Sequence, residues 1–309
     1  METVNETNLK IEPQRIYDRY EVLAERVATE EARILPQLPL AEPQGLDDIV
    51  RGCITNWKDK RKSLRTVAVL NAIDHAVDGD LPDACVDVLV SLDALINVLD
   101  DIIDDASPSK PAKIGYTVNA AFATTSLYSN LSDSVQKHAS KTLFEYFTKL
   151  FQIPKVESSL LARMQGKTSP AERVATATEI YEYRALDMEA FVEIALQIYT
   201  DSANSALDQS VRAALHEDLV TYRARCLLFK DVYDIERDYR DDDVTPVLAR
   251  VKSTRDPAVV EQFITGIANQ FSYSADSRDS YRDALLHLER RPDSMAEEIA
   301  GQIDSLRGL

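Results

Sequence analysis

Val88-Leu-Val-Ser-Leu-Asp-Ala-Leu-Ile-Asn-Val-Leu-Asp-Asp-Ile-Ile-Asp-Asp105 decides the fold class. Its first part, Val88 to Leu99, is apolar almost without interruption and reads as a buried helix. Its end is unlike a buried helix: Asp100, Asp101, Asp104 and Asp105 crowd onto about one turn. At 3.6 residues per turn Asp100 stands over Asp104 and Asp101 over Asp105, so like charges repel at helical neighbour positions. Such a cluster is costly unless a cation neutralises it, and oxygen-only ligands suit a hard divalent metal such as Mg²⁺ in company with substrate phosphates. The alternative is a solvated acidic helix end, against which the long run of buried positions before it argues.

The remaining composition points the same way. The chain has 309 residues, 45% hydrophobic and 28% charged, enough for a sizeable core. Eight glycines and 7% aromatic residues disfavour a sheet-rich fold, whereas the abundance of Ala, Leu, Glu, Asp and Arg favours helices. A formal net charge of -17 argues against nucleic acid or an anionic membrane surface as partner. The acidity runs through nearly every segment, which suits a protein kept dissolved in a high-salt, halophile-like cytoplasm. Cys53, Cys85 and Cys226 have no metal-ligand spacing and read as free thiols in a reducing compartment, so a cytoplasmic location is expected. No signal peptide and no membrane-spanning run of about 18 apolar residues is evident.

Outward from the quoted stretch, one helical pattern follows another. Residues 13 to 34 carry Ile16, Tyr20, Leu23, Val27 and Ile34 at mostly three- and four-residue spacing, and Pro36, Pro39 and Pro43 then break the pattern, so residues 1–45 read as an N-terminal helix and a proline-containing connection. Further helices are expected over 46–57 and 63–77, then, after the turn Gly79-Asp-Leu-Pro82, in the aspartate-bearing segment. Others are expected over 116–131, 133–152, 156–165, 170–200, 206–239, 256–273 and 276–308. Sustained alternation and internal repeats are absent from the pattern. The expectation is a single all-α domain over 1–309, a bundle of about ten helices.

A second acidic stretch completes the chemical pattern. In Leu227-Leu-Phe-Lys-Asp-Val-Tyr-Asp-Ile-Glu-Arg-Asp-Tyr-Arg-Asp-Asp-Asp243, Asp231, Asp234 and Asp238 fall at i, i+3 and i+7 on one helix face, with Lys230 and Arg237 beside it. Two carboxylate-bearing helices facing each other across a bundle can hold Mg²⁺ ions bridged by a diphosphate. Metal-bound diphosphate is a good leaving group, because cations and nearby Arg or Lys take up the charge that develops as carbon–oxygen cleavage proceeds. The alternative here is a salt-bridged face, Lys230 to Asp234 and the aspartates to neighbouring arginines.

Asp100-Asp-Ile-Ile-Asp104 resembles the first aspartate-rich motif, DDxxD, of class I isoprenoid synthases. The surrounding sequence is most similar to a divergent trans-prenyl diphosphate synthase, chiefly over residues 46–130. Lys62-Ser-Leu-Arg-Thr66 resembles, without its glycines, the family segment that binds the homoallylic diphosphate. The arginine pair that follows DDxxD in the family is missing, with Lys110 and Lys113 the only nearby cations. The family's middle-helix Lys-Thr pair has no counterpart in 181–191. Phe229 to Arg237 keeps one aspartate of three of the second family motif in register. The same stretch, Lys230 to Asp238, matches the spacing of the second metal motif of the related terpene cyclases, with Lys in place of the first ligand. Arg184, with Asp187 three residues on, stands where their diphosphate-sensing arginine lies; the alternative is a surface cation. One Trp and eight Phe are few for a cyclase, which needs aromatic faces around migrating carbocations.

The resemblance implies an isoprenoid synthase-like bundle with a central cavity, a Mg²⁺-dependent prenyltransferase that ionises an allylic prenyl diphosphate and elongates it with isopentenyl diphosphate. It implies Asp100, Asp101 and Asp104 as metal ligands on one wall and Asp231, Asp234 and Asp238 on the other, holding a cluster of about three Mg²⁺ ions once diphosphate is bound. It further implies Lys62 and Arg65 at the second diphosphate, Arg184 and Lys230 as diphosphate contacts, Leu95 and Ile96 lining the tail pocket, and a homodimer. A terpene cyclase acting on one prenyl diphosphate and a non-catalytic partner subunit of a synthase remain as alternatives.

Overall fold

In the computed structural model, residues 9–34, 65–77, 81–104, 132–150, 152–203, 207–275 and 279–306 are described, and among them the chain is all-α, with thirteen helices and no strand. The helices expected over 46–57 and 116–131 lie outside the described residues. Helix α1 (Pro13–Ile34) has the expected bounds, and its face of Ile16, Tyr17, Tyr20, Leu23 and Ala24 is buried. Helix α2 (Arg65–Ala76) is buried nearly all round, as a central helix must be. The stretch that opened the sequence analysis is α3 (Asp83–Asp104).

Beyond these come α4 (Asp133–Leu150), α5 (Ile153–Gln165), α6 (Pro170–Arg184), α7 (Asp187–Ala203) and α8 (Gln209–Tyr233). They are followed by α9 (Ile235–Arg240), α10 (Pro246–Thr254), α11 (Pro257–Ala268), α12 (Asp279–Leu288) and α13 (Met295–Ser305). Nine of the expected segments fall among the described residues, and they hold thirteen helices because 170–200, 206–239 and 276–308 are each two helices and because α10 was not foreseen. Local chemistry explains several starts. Thr245 caps α10 by accepting from the Leu248 N–H, and Asp256 caps α11 by accepting from the Ala258 N–H, each followed by proline at the first helical position.

Two apolar cores meet along α8, which packs against α2, α6, α7 and every helix after it. Its first part, with Leu215, Leu219 and Tyr222, joins a core built from α1, α2, α3, α4, α7 and α12. Its second part, with Leu227, Leu228, Phe229 and Val232, joins a core built from α5, α6, α9, α10, α11 and α13. Burial of this many large apolar side chains, each contributing about 1.5–3 kcal/mol, is what offsets the polar groups enclosed between the two cores. The candidate site lies at that seam.

Candidate functional site

A cavity of about 170 Å³ opens where the ends of many helices converge. Its polar lining is Arg65 at the start of α2, Glu157 in α5, Arg184 closing α6, Asp187 opening α7, and Arg223 and Lys230 in α8. Ile96, Leu150, Ile153 and Leu227 supply apolar wall. Four cationic side chains against two carboxylates is an unusual balance in a chain of net charge -17.

Two unmarked breaks in the helical pattern set these side chains in place. Between α6 and α7 the chain turns at Ala185 and Leu186 with neither glycine nor proline. The Ala185 N–H donates to the Tyr181 carbonyl, and the Met188 and Glu189 N–H groups donate to the carbonyls of Ala185 and Leu186. The turn brings Arg184 and Asp187 to the same cavity from two helices. Between α8 and α9 the break falls at Asp234, whose carbonyl accepts from the Asp238 N–H at 2.7 Å. Asp231, Asp234 and Asp238 therefore come from the end of one helix, the junction and the next helix, and all three are buried.

The inner wall is ionic. Arg65 donates through Nε to Asp93 Oδ1 at 2.7 Å, through Nη1 to Asp187 Oδ2 at 2.5 Å and through Nη2 to Asn97 Oδ1 at 3.2 Å, and it stands over the Phe191 ring. Arg223 grips Asp187 from the other side, Nε and Nη2 reaching Oδ2 at 3.0 and 2.8 Å. Tyr20 donates to Asp93 Oδ2 at 2.7 Å. Burial alone would raise the Asp187 pKa, but Arg223 and Arg65 overcome it and hold the carboxyl below its ordinary value. Burial likewise opposes the charge on Arg65, and Asp93 and Asp187 more than restore it, so the guanidinium stays protonated.

Behind Arg184 and Lys230 lies the second acidic stretch. Asp231 Oδ2 accepts from the Tyr181 hydroxyl at 2.8 Å and from Arg184 Nη1 at 2.7 Å. Arg184 Nε also faces Glu157 Oε1 at 3.2 Å. Lys230 Nζ lies 3.7 Å from Asp234 Oδ2, and Arg237 Nη2 lies 2.8 Å from the same oxygen and 3.2 Å from Asp238 Oδ1. The salt-bridged alternative is thus present, with its aspartates buried and its cations Lys230 and Arg237 partly exposed. Arg184 is no surface cation: its side chain is 17% exposed and ion-paired. Burial, with Asp231 and Asp234 nearby, pushes the Asp238 carboxyl up to about 7 despite Lys230 and Arg237.

Of the other expected site residues, Ile96 lines the cavity and Arg65 lies at its inner wall, engaged by Asp93, Asn97 and Asp187. Lys62 lies outside the described residues, as do the side chains of Leu95, Asp100, Asp101 and Asp104. Asp100, Asp101 and Asp104 belong to the C-terminal part of α3. Sequence reasoning gave no role to Tyr181, Arg223, Asp93 or Glu157. Arg223 had a signal: with Leu227, Lys230 and Asp234 it continues the acidic face two turns upstream at i, i+4, i+7 and i+11.

Asp231, Asp234 and Asp238 offer the oxygen-only donors that suit a hard divalent cation, and burial together with the neighbouring carboxylates disfavours charge on Asp238, but Arg184, Lys230 and Arg237 already pair with these oxygens. Among the described residues, no group of three or more His, Cys, Asp or Glu side chains is placed to hold a metal ion, and Asp231, Asp234 and Asp238 do not form one by themselves. Among those residues, too, no helix is long and apolar enough to cross a membrane. Comparison with known proteins finds no matching family model and no matching curated sequence.

Proposed function

We propose that the protein is a Mg²⁺-dependent class I isoprenoid synthase that ionises an allylic prenyl diphosphate and elongates it with isopentenyl diphosphate. The observation that carries this reading is that Arg184 and Lys230 line one cavity and are ion-paired behind it to the buried Asp231 and Asp234, with buried Asp238 in the same stretch, while Ile96 of the helix that ends in Asp104 lines the same cavity. Asp100, Asp101 and Asp104 would hold Mg²⁺ from one wall and Asp231, Asp234 and Asp238 from the other, where the metal supplies charge neutralisation to the leaving diphosphate.

Arg184 and Lys230 bind diphosphate oxygens and take up charge as the allylic carbon–oxygen bond breaks with its electron pair going to oxygen. Ile96, Leu150, Ile153 and Leu227 keep water from the allylic cation. The double bond of isopentenyl diphosphate then adds to that cation, and the proton lost afterwards passes to the released diphosphate, so no protein base is required. Lys62 and Arg65 are the proposed contacts of the second diphosphate, and a homodimer in the cytoplasm is the proposed setting.

One observation favours a second reading, a terpene cyclase using a single diphosphate. Arg65 is already committed to Asp93, Asn97 and Asp187, which leaves it less to offer a second substrate. Incubation of the purified protein with Mg²⁺ and labelled geranyl or farnesyl diphosphate, with and without isopentenyl diphosphate, separates the possibilities. Elongated diphosphates formed only with both substrates support elongation. Hydrocarbons or alcohols from the allylic substrate alone indicate the cyclase, and absence of product indicates a non-catalytic partner subunit.

A further inference from the structure

Asp231 is 1% exposed, and both donors that the structure gives it from α6, the Tyr181 hydroxyl and Arg184 Nη1, fall on the same oxygen, Oδ2. The two donors differ in where they sit. Tyr181 is fully enclosed, whereas Arg184 lines the cavity and divides its guanidinium between Asp231 and Glu157. An anion entering the cavity meets Arg184 at its surface, and to engage the guanidinium through Nη1 as well as its other donors it must draw that nitrogen away from Asp231. A buried carboxylate stripped of its partners is strongly destabilising, and a single retained hydrogen bond removes much of that penalty.

We propose that Tyr181 is a positioning residue that releases Arg184 to an anionic phosphate ligand, by keeping Asp231 hydrogen-bonded while Arg184 exchanges that carboxylate for the ligand. Tyr181 touches no ligand in this scheme; it acts through Asp231. The inference rests on the proposed reading of the cavity as a diphosphate site. It adds a role for a residue one helical turn from Arg184, where a hydroxyl and a guanidinium at i and i+3 reach the same point. Without the hydroxyl, Asp231 holds Arg184 alone, and ligand binding must break that pair outright.

The test is calorimetric titration of the full chain with inorganic pyrophosphate in EDTA and again with Mg²⁺, in wild type, Tyr181→Phe, Arg184→Gln and the double variant. Tyr181→Phe should weaken metal-free binding about tenfold, the effect of one hydrogen bond to a charged group. In the Arg184→Gln background the same change should have no further effect. Equal binding by wild type and Tyr181→Phe, or an undiminished effect of Tyr181→Phe when Arg184 is already gone, overturns the inference while leaving the diphosphate site standing. Failure of wild type to bind pyrophosphate in either condition overturns the site itself. Asp231→Asn provides an independent measure should Tyr181→Phe not fold. By removing the charge that holds Arg184 it should tighten metal-free pyrophosphate binding, and weaker binding counts against the exchange.

Discussion

Asp238→Asn is the substitution whose effect follows most directly from the geometry. Asp238 is buried beside Asp231 and Asp234, its one described ion pair is to Arg237 at 3.2 Å, and its carboxyl is pushed from an ordinary 3.8 up to about 7. The native chain therefore keeps this proton between about pH 4 and pH 7 while the unfolded chain has lost it. The group's contribution to stability is full below about pH 4 and is lost as pH rises through about 7. At 1.36 kcal/mol per pKa unit the unscreened effect is roughly 4 kcal/mol. The Arg237 side chain beside it is 44% exposed, and screening through that open side brings the expected effect to about 2 kcal/mol. For a chain of this length that corresponds to about 3 °C in Tm. Thermal unfolding followed by circular dichroism in EDTA should show wild type losing about 3 °C more than Asp238→Asn between about pH 4 and pH 8. Millimolar Mg²⁺ should restore wild type at the higher pH, do little at the lower, and shift the variant least. Parallel pH profiles for the two proteins would refute the argument that burial and the neighbouring carboxylates raise this group.

Three other outcomes are expected. Asp187→Ala removes the carboxylate that Arg223 grips and leaves Arg65 with Asp93 and Asn97, and should lower stability by about 3–5 kcal/mol in urea titration, with Asp187→Asn recovering part of the loss; an unchanged midpoint would show that the ionic wall is not stabilised by its central carboxylate. Asp100→Ala combined with Asp104→Ala should abolish product formation while far-ultraviolet dichroism stays helical, and persistent turnover would sink their assignment as metal ligands. Because 52 acidic residues face 35 basic ones, the unfolding midpoint should go on rising as KCl enters the molar range, beyond the roughly 0.1–0.5 M over which simple screening saturates, and a plateau there would remove the high-salt interpretation.

What could be read from the sequence, and what could not, divides along physical lines. The apolar continuity of 88–99 and the three- and four-residue spacing in 13–34 depend on local pattern, and α3 and α1 follow it. Helix α10 was legible too: Thr245-Pro246 is a cap followed by a first-position proline, a signal passed over amid the surrounding aspartates. The breaks at Ala185-Leu186 and at Asp234 have no breaker residue. The chain turns there because Arg184 and Asp187, or Asp231 and Asp238, find partners in the interior that hydrophobic periodicity does not encode. Arg65 and Asp187 are 122 positions apart, and no local rule pairs them.

That pairing bears on how the proposed site would fill. Each described cation expected at a diphosphate is already matched to carboxylate: Arg65 to Asp93 and Asp187, Arg184 to Asp231 and Glu157, Lys230 to Asp234. A diphosphate entering alone must take Arg184 and Lys230 from their partners and leave buried carboxylates behind. Mg²⁺ entering alone must do the converse, taking Asp231 and Asp234 from their cations. Entering together, each occupies what the other releases, so neither strands a buried charge. Binding of the two should therefore be mutually favourable, with a coupling of about 1–3 kcal/mol, or roughly 5- to 150-fold in affinity, and equal whichever ligand is titrated second. Because pyrophosphate and Mg²⁺ also associate in solution, the comparison is made on free concentrations of the separate species. Independent affinities in that comparison would mean that the carboxylates and cations of the seam are a fixed structural lattice rather than an exchangeable one.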